Sequence, residues 1–302
     1  MNSRVIVFLI VCLGFAIPVL ADPNIVIVSE KYPNLASGAL TFAKLAQLSD
    51  GVLLKSGQIQ IVAEDVNKFI DSADQQVRQD LQKNKFFVLE QLATEKLLLE
   101  AAKKNGDPNQ KGDDSEMINS FLKKFTADVN VSETDVRRFY KENEAVFCGT
   151  PLEKVRKQIE PYVLQEKQQQ LVNQLITNFG KDKKIVLSLD WVSRQAELAK
   201  DNVLDKSRLS GKATLAVFSA ASCCGPDKAK PILESLQKKF SQKANILYIE
   251  ARQQQILAAR YKVQAIPTQL IFDKSGKEVF RHSGFYSQPE LEKQLEKAGL
   301  EL

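Results

Sequence analysis

Two adjacent cysteines have the residue type and the setting that thiol chemistry requires. Cys223 and Cys224 follow an alternating apolar run, Leu215 and Val217, that is typical of a strand, and they precede Gly225-Pro226 and a polar run typical of a helix. A thiol at a helix start is stabilised as a thiolate by unpaired N–H groups and the helix dipole, which lower its pKa below about 8.5. The alternative is a buried, inert pair, because free cysteine often packs as a small apolar side chain. The adjoining Gly-Pro and helix start favour the reactive pair.

Two segments of the C-terminal third resemble the signatures of the thioredoxin family. Phe218 to Pro231 resembles the family's active-site segment, and Ala265-Ile266-Pro267-Thr268 resembles the segment whose proline is cis and faces the active-site cysteines. The Lys274-Ser275-Gly276-Lys277 turn matches as well. The resemblance covers about residues 190–302 and implies an α/β thioredoxin-like fold, a mixed sheet flanked by helices. It also implies that Ile266, Pro267 and Thr268 present backbone groups to a bound chain.

The active-site segment departs from the family's Cys-x-x-Cys motif. A gapless count from Phe218 to Pro231 puts Cys223 at the family's first cysteine, whereas matching Cys-Gly-Pro puts Cys224 there. The gapless alignment is preferred, because strand-to-helix distances are harder to change than loop residues. Under both alignments the resolving cysteine is absent, and Val217 or Phe218 replaces the family's buried acid.

A missing resolving thiol changes how a mixed disulfide is released. Release then requires one of three thiols, which are the second cysteine of the pair (Cys224 if Cys223 attacks), Cys148, or a thiol of another molecule. Cys148 qualifies only if its turn docks against the site. The single histidine, His282, fits an exposed position on an edge strand, and no metal cluster can be built around it. We therefore expect no metal and no cofactor.

Residues 1–21 have the pattern of a cleaved signal peptide. Arg4 precedes an apolar run that ends in Val19-Leu20-Ala21, and this run is too short for a membrane span. Cys12 lacks the preceding small residue of a lipoprotein signal, and no later stretch is long and apolar enough to cross a bilayer. The sequence therefore predicts an exported, periplasmic protein without stable membrane insertion.

Length and charge narrow the classes of function. A chain of 302 residues suggests about two domains, predicted here as residues 22–187 and 188–302. The net charge of +5 is spread along the chain without a basic arm, which argues against nucleic-acid binding. Cys148, Cys223 and Cys224 remain after signal removal, and an odd count leaves at least one thiol free or paired between molecules.

The first module is predicted to be mainly helical. Its expected elements are a helix over Leu40–Leu48, a hairpin of 52–54 and 59–61, a helix around Val66–Ile70, one long helix from about Asp74 to Lys104, a helix over Met117–Phe125, a helix capped by Ser132 and Asp135, a long helix from Leu152 that Gly180 ends, and a strand over Ile185–Leu189. A helix from Asp190 to Lys200 is expected to open the second module.

The order of these elements resembles the N-terminal chaperone module of SurA and related periplasmic peptidyl-prolyl isomerases. The matching segments are SGQIQI, LATEKLLLEAAKKNG and VSETDVRRFYKENEAVF. In those proteins a parvulin domain is inserted after the last segment, but here only residues 148–151 separate it from the closing helix. The resemblance implies a helical cradle for unfolded or extended polypeptide, without prolyl isomerase activity. The alternative is a helical domain that serves only attachment or dimerisation.

Two hypotheses of function follow, and the sequence leaves both open. The first is a periplasmic folding factor whose SurA-like module binds exported polypeptides while Cys223 and Cys224 exchange disulfides with client cysteines, with a redox partner protein as a further candidate partner. The second is a non-enzymatic chaperone or adaptor whose thioredoxin-like domain only binds extended peptide. The missing resolving cysteine favours the second hypothesis, and two thiols at a helix start favour the first.

Overall fold

The computed structural model describes residues 26–105, 112–143, 147, 149–220 and 229–300. Two four-stranded sheets organise this part of the chain. The first sheet lies among the helices of the N-terminal two-thirds, and the second forms the C-terminal third. The predicted signal peptide, residues 1–21, lies outside the described residues.

The first sheet joins strands from both ends of the first module. Its strands are β1 (Lys44–Ala46), β2 (Val52–Ser56), β3 (Ile59–Val62) and β4 (Val186–Ser188), and they lie in the order β1-β4-β2-β3. The hairpin of β2 and β3 confirms the prediction, whereas β1 and β4 pair in parallel although about 140 residues separate them. This pairing brings the two ends of the module into one core.

The helices of the first module cover this sheet and extend beyond it. They are α1 (Val28–Lys31), a 3-10 helix (Ala39–Phe42), α2 (Ala63–Ser72), α3 (Gln75–Lys83), α4 (Lys85–Asn105), α5 (Asp114–Phe125), α6 (Glu133–Glu142), α7 (Leu152–Asp182) and α8 (Leu189–Ala199). The predicted capping box at Ser132 and Asp135 is present. The Asp135 N–H donates to Ser132 Oγ, and the Ser132 N–H donates to Asp135 Oδ2. A small second cluster, including Val136 and Ile159, packs α6 on α7.

Two predicted helices of the first module are corrected. The residues 40–48 do not form one helix, because only residues 40–42 belong to the short 3-10 helix and residues 44–46 pair with β4 as strand β1. The long helix expected over residues 74–104 is two helices that break at Asn84, whose side-chain amide donates to the Asp80 carbonyl. Such a bond offers the backbone an alternative to the helix ladder.

The end of the first module also differs from expectation. Helix α7 continues past Gly180 to Asp182, and this glycine instead allows a close approach, because a Cβ there would lie 2.3 Å from the Ala39 carbonyl oxygen. The expected strand is shorter, since Leu189 begins α8. Packing places α8 with the first core, where Val192 and Ala196 are buried, rather than with the second module.

The C-terminal third is a mixed sheet with helices on both faces. After α9 (Val203–Arg208), it comprises β5 (Ala213–Ser219), α10 (Ala229–Phe240), β6 (Ala244–Glu250), α11 (Gln255–Arg260), β7 (Thr268–Phe272), β8 (Glu278–Ser283) and α12 (Gln288–Lys297). Strand β5 pairs in parallel with β6 and antiparallel with β7, and β7 pairs antiparallel with β8. Alternate β5 side chains pack towards α10 and α12 on one face and towards α9 and α11 on the other. The mixed sheet flanked by helices that the thioredoxin resemblance implied is confirmed.

A buried ionic cluster joins the two parts. Asp205 is fully buried, and its carboxylate accepts hydrogen bonds from Arg208, Arg260 and Tyr261. Burial alone would raise the pKa of Asp205, but the Arg260 charge and the hydrogen bonds from Asn202 and Tyr261 hold it below its ordinary value. Arg260 also donates to the carbonyls of Ala199 and, in the first module, Asn34. We call Asp205, Arg208, Arg260 and Tyr261 the joint cluster.

Candidate functional site

The loop before β7 lies at the end of the sheet where β5 finishes. The Ile266–Pro267 peptide bond is cis, as the sequence predicted. Thr268, the first residue of β7, pairs with Phe218 near the end of β5 and with Ser283 at the end of β8. From this same end the chain leaves β5 towards residues 221–228. Cys223 and Cys224 belong to that segment and lie outside the described residues.

The three predicted client-binding residues differ in exposure. Thr268 is buried in the sheet, and its hydroxyl donates to the Ala265 carbonyl at 2.5 Å, which closes the loop on itself. The Pro267 carbonyl accepts from the Gly284 N–H at 2.8 Å. Ile266 is 39% exposed. Ile266 is therefore the most exposed of the three, since Pro267 is half-buried.

A buried amide lies directly behind this loop. Gln269 is 3% exposed and pairs across the sheet with Val217 and His282. Its Nε2 donates to the Gly284 carbonyl at 2.9 Å, and this acceptor fixes the orientation of the amide. Among the described residues its Oε1 has no hydrogen-bond partner. A neutral polar group thus stands beside Val217, one of the two positions where the sequence lacks the family's buried acid.

Gly284 connects the cis-proline loop to the first module. Its backbone bonds with Pro267 and Gln269 place it beside the loop. Its φ of +102° favours glycine, and a Cβ there would lie 2.6 Å from the Glu142 carbonyl oxygen at the end of α6. The first module therefore reaches the neighbourhood of the cis-proline loop.

The turn that follows α6 is folded back on that helix. Phe147 stacks on Tyr140 with ring centroids 5.2 Å apart, and the Tyr140 hydroxyl donates to the Thr150 carbonyl at 2.8 Å. The Thr150 N–H donates to the Phe147 carbonyl. Cys148, the candidate resolving thiol, lies between these residues and is itself outside the described part of the chain.

His282 lies on β8, an edge strand of the second sheet, as predicted. Its side chain is half-buried rather than exposed as expected, because its ring lies 4.5 Å from the ring of Tyr286. Hydrogen bonds from Ser287 lower the pKa of nearby Glu290. A positive charge on His282 lowers the pKa of Glu290 further, by a smaller amount. Within the described ranges, no group of three metal-ligating side chains comes together, and no helix is long and apolar enough to span a membrane.

The fold and the loop define the class of the second module. A mixed sheet with helices on both faces, and a cis proline opening its antiparallel strand, is a thioredoxin-like arrangement, and residues 200–299 match the thioredoxin-like domain family. Thioredoxin from Staphylococcus saprophyticus is 37% identical over 78 residues, which is 26% of this chain and 74% of that protein. The chain belongs to the thioredoxin family.

Two further comparisons cover the same third of the chain. Chloroplastic thioredoxin Y from rice (Oryza sativa) is 33% identical over 98 residues, which is 32% of this chain and only 56% of that protein. The crystal structure of thioredoxin NaTrxh from Nicotiana alata is 29% identical and covers 35% of this chain and 86% of that chain, with a TM-score of 0.28.

Sequence reasoning missed two features of this region. No local sequence pattern predicts the contact between Glu142 and Gly284, because the two residues are about 140 positions apart and meet only in the folded protein. The joint cluster was missed as well, because its Asp205 and Arg208 lie on α9, a short helix that was not predicted, about 55 residues from Arg260 and Tyr261. Their mutual contact depends on the tertiary fold.

Proposed function

We propose that this protein is an exported folding factor of the periplasm that exchanges disulfides with client polypeptides. The observation that carries the proposal is the cis-Pro267 loop at the end of β5, the same end at which the chain enters the segment with Cys223 and Cys224. The thioredoxin relatives support thiol-disulfide exchange as the reaction class. The signal-like residues 1–21 are the basis for export.

The reaction begins with a thiolate at Cys223 or Cys224. It attacks one sulfur of a client disulfide, a mixed disulfide forms, and the other client sulfur leaves as a thiolate that takes a proton from water. Release requires a second thiol to attack the mixed disulfide. Cys148 is a candidate, because its flanking residues pack on α6, whose end contacts Gly284 beside the cis-Pro267 loop.

The first module is proposed to hold the client. Helix α5 buries none of its residues, and its apolar face is half-exposed at Met117, Ile118, Phe121 and Leu122. Tyr162 on α7 is 64% exposed. Exposed apolar surface of this kind suits the binding of unfolded chains, in keeping with the resemblance to SurA-like modules. Without a parvulin insert, prolyl isomerase activity is not part of the proposal.

A second candidate function is a non-enzymatic chaperone or adaptor. Gln269 favours it, because a neutral amide stands behind the loop and, unlike a carboxylate, cannot accept a proton from a resolving thiol. In this alternative the cis-Pro267 loop binds extended peptide without exchange.

Alkylation rates and mixed-disulfide lifetimes test the reactive pair. We expect one thiol of the pair to titrate below about 8.5, the ordinary cysteine value, because a helix start stabilises its thiolate. With a disulfide-bonded peptide as probe, Cys223→Ser should abolish exchange and Cys224→Ser should lengthen the life of the adduct. Cys148→Ser is the matched variant outside the pair, and a longer-lived adduct in it would assign the release step to Cys148.

Two other outcomes have definite meanings. If the roles of Cys223 and Cys224 are reversed, the Cys-Gly-Pro alignment is the correct one. If both thiols titrate near about 8.5 and both serine variants exchange as the wild type does, the exchange function is wrong. Unchanged suppression of aggregation by those same variants would then favour the chaperone or adaptor function.

A further inference from the structure

The end of α6 approaches the cis-Pro267 loop from the β8 side. Gly284 continues β8, and its N–H binds the Pro267 carbonyl at 2.8 Å. On the other side of Gly284 lies the Glu142 carbonyl, so close that a Cβ would be 2.6 Å from it. A single glycine therefore separates the loop from the first module.

Two connections hold this arrangement in place. Arg260 of the joint cluster donates to the Asn34 carbonyl of the first module, and Ile256 of the same helix packs against the first core. Gly284 and Glu142 provide the second connection. Since helix α11 makes the first connection and the residue after β8 makes the second, the first module is held at two places relative to the loop.

We propose that the end of α6 forms one wall of the client site, and that the site therefore accepts an extended, unfolded polypeptide and excludes a folded protein surface. This inference rests on the proposed client binding at the cis-Pro267 loop. Ile266, 39% exposed, faces the approaching chain, and Glu142 stands beyond Gly284 on the β8 side.

The width of the bound polypeptide determines whether it fits between the cis-Pro267 loop and the end of α6. An extended chain needs about 5 Å beside a neighbouring strand, the ordinary spacing in a sheet. It can lie along Ile266 with the end of α6 at its flank. A folded surface that docks flat on the loop would meet α6, because a single glycine separates the two.

Photo-crosslinking with the full-length protein tests the wall. A photoreactive residue replaces Glu142 in one variant and Ile266 in another, and the probe is a reduced, carboxymethylated, unfolded polypeptide that has no free thiol. The control position is Lys238, which is exposed in the last turn of α10, at the opposite end of the sheet. We expect capture at 142 and at 266 but not at 238. The same probe protein in its folded form, with its disulfides intact, should not compete.

Paired glycine variants test the contact itself. Gly284→Ala should reduce capture at 142 about tenfold while leaving capture at 266 in place, since the added Cβ pushes α6 away. Gly299→Ala is the matched control, because Gly299 has a similar φ of +92° but an added Cβ would meet nothing nearer than 4.0 Å. Capture in Gly299→Ala should equal that of the parent.

The unfavourable outcomes separate this inference from the proposed function. Capture at 266 without capture at 142 overturns the wall and leaves the client site. Competition by the folded protein overturns the selectivity for extended chains. Absence of capture at both positions overturns the wall together with client binding at the loop, whereas disulfide exchange is judged by the thiol variants alone.

Discussion

Glu90 is a buried carboxylate that organises a loop of the first module. It lies on α4 and is 3% exposed, and its two oxygens accept hydrogen bonds from the Ser37 N–H, the Ser37 hydroxyl and the Gly38 N–H. Burial raises the pKa of Glu90, and the hydrogen bonds from Ser37 and Gly38 offset only part of that rise. In the part of the chain that the structure describes, no cation is paired with it. The carboxylate thus fixes residues 37 and 38 just before the 3-10 helix.

Glu90→Gln should destabilise the protein at low pH and reduce the pH dependence of its stability. In either amide orientation an NH2 group meets the N–H of Ser37 or Gly38, which we expect to cost about 1–3 kcal/mol. Because the folded protein binds the Glu90 proton more tightly, wild-type stability relative to the variant should fall as pH rises from 4.5, the ordinary value, through the raised pKa.

Urea unfolding at several pH values measures this difference. Glu95→Gln is the matched control, because Glu95 is exposed on the same helix. It should change the free energy of unfolding little at any pH. A pH-independent difference between wild type and Glu90→Gln would show that the folded and unfolded pKa values of Glu90 are the same.

At the scale of elements, local patterns predicted what local interactions build. The hairpin of β2 and β3 and the capping box at Ser132 depend on residues a few positions apart, and both were predicted. Strand β1 was mistaken for helix because its partner β4 lies about 140 residues away. Gly180 was mistaken for a helix end because its contact with Ala39 is equally distant.

Gly180→Ala tests whether α7 packs as closely on the 3-10 helix as the structure has it. In an exposed helix interior the change would stabilise by about 1 kcal/mol. Here the new Cβ would lie 2.3 Å from the Ala39 carbonyl oxygen, so one helix must move, and we expect a loss of about 1–3 kcal/mol. Denaturant unfolding measures it, with Asn178→Ala, exposed on the same helix, as the control that changes helix propensity alone and should stabilise by about 0.5 kcal/mol. A stability gain in Gly180→Ala would mean that the two helices are further apart.

At the scale of the whole molecule, the joint cluster couples the two parts. Arg260 contacts Asp205, the Ala199 carbonyl and the Asn34 carbonyl, and it is 6% exposed. The cis proline of the candidate site could be predicted from four residues of sequence. The contact between Gly284 and Glu142 could not, because it depends on how this cluster orients one part against the other.

Arg260→Met should uncouple the two parts during unfolding. The variant removes one partner of a buried ion pair, which typically costs about 3–5 kcal/mol. The only tryptophan, Trp191, packs against Phe86 in the first core, so its fluorescence follows that core, whereas far-ultraviolet circular dichroism follows all helices. We expect the two thermal transitions to coincide in the wild type and to separate in the variant.

Arg281→Met is the control for this substitution. Arg281 forms an ion pair with Glu278 on the partly exposed β8, and such pairs contribute little. Its two transitions should remain coincident. Coincident transitions in Arg260→Met as well would mean that the apolar contacts of α8 and α11 suffice to couple the parts.

The parallel pairing of β1 with β4 has a consequence for the order of assembly. During synthesis, Lys44 can pair with Val186 only after the helices between them have been synthesised. Helix α8, which packs in the same core, follows still later. Because the amino end is synthesised first, the first core must remain incomplete through most of synthesis. The apolar faces of its helices stay exposed until β4 is available to pair with β1. Strands β5 to β8, by contrast, lie within one continuous stretch of about 70 residues. The part of this protein that is made first is thus among the last to close.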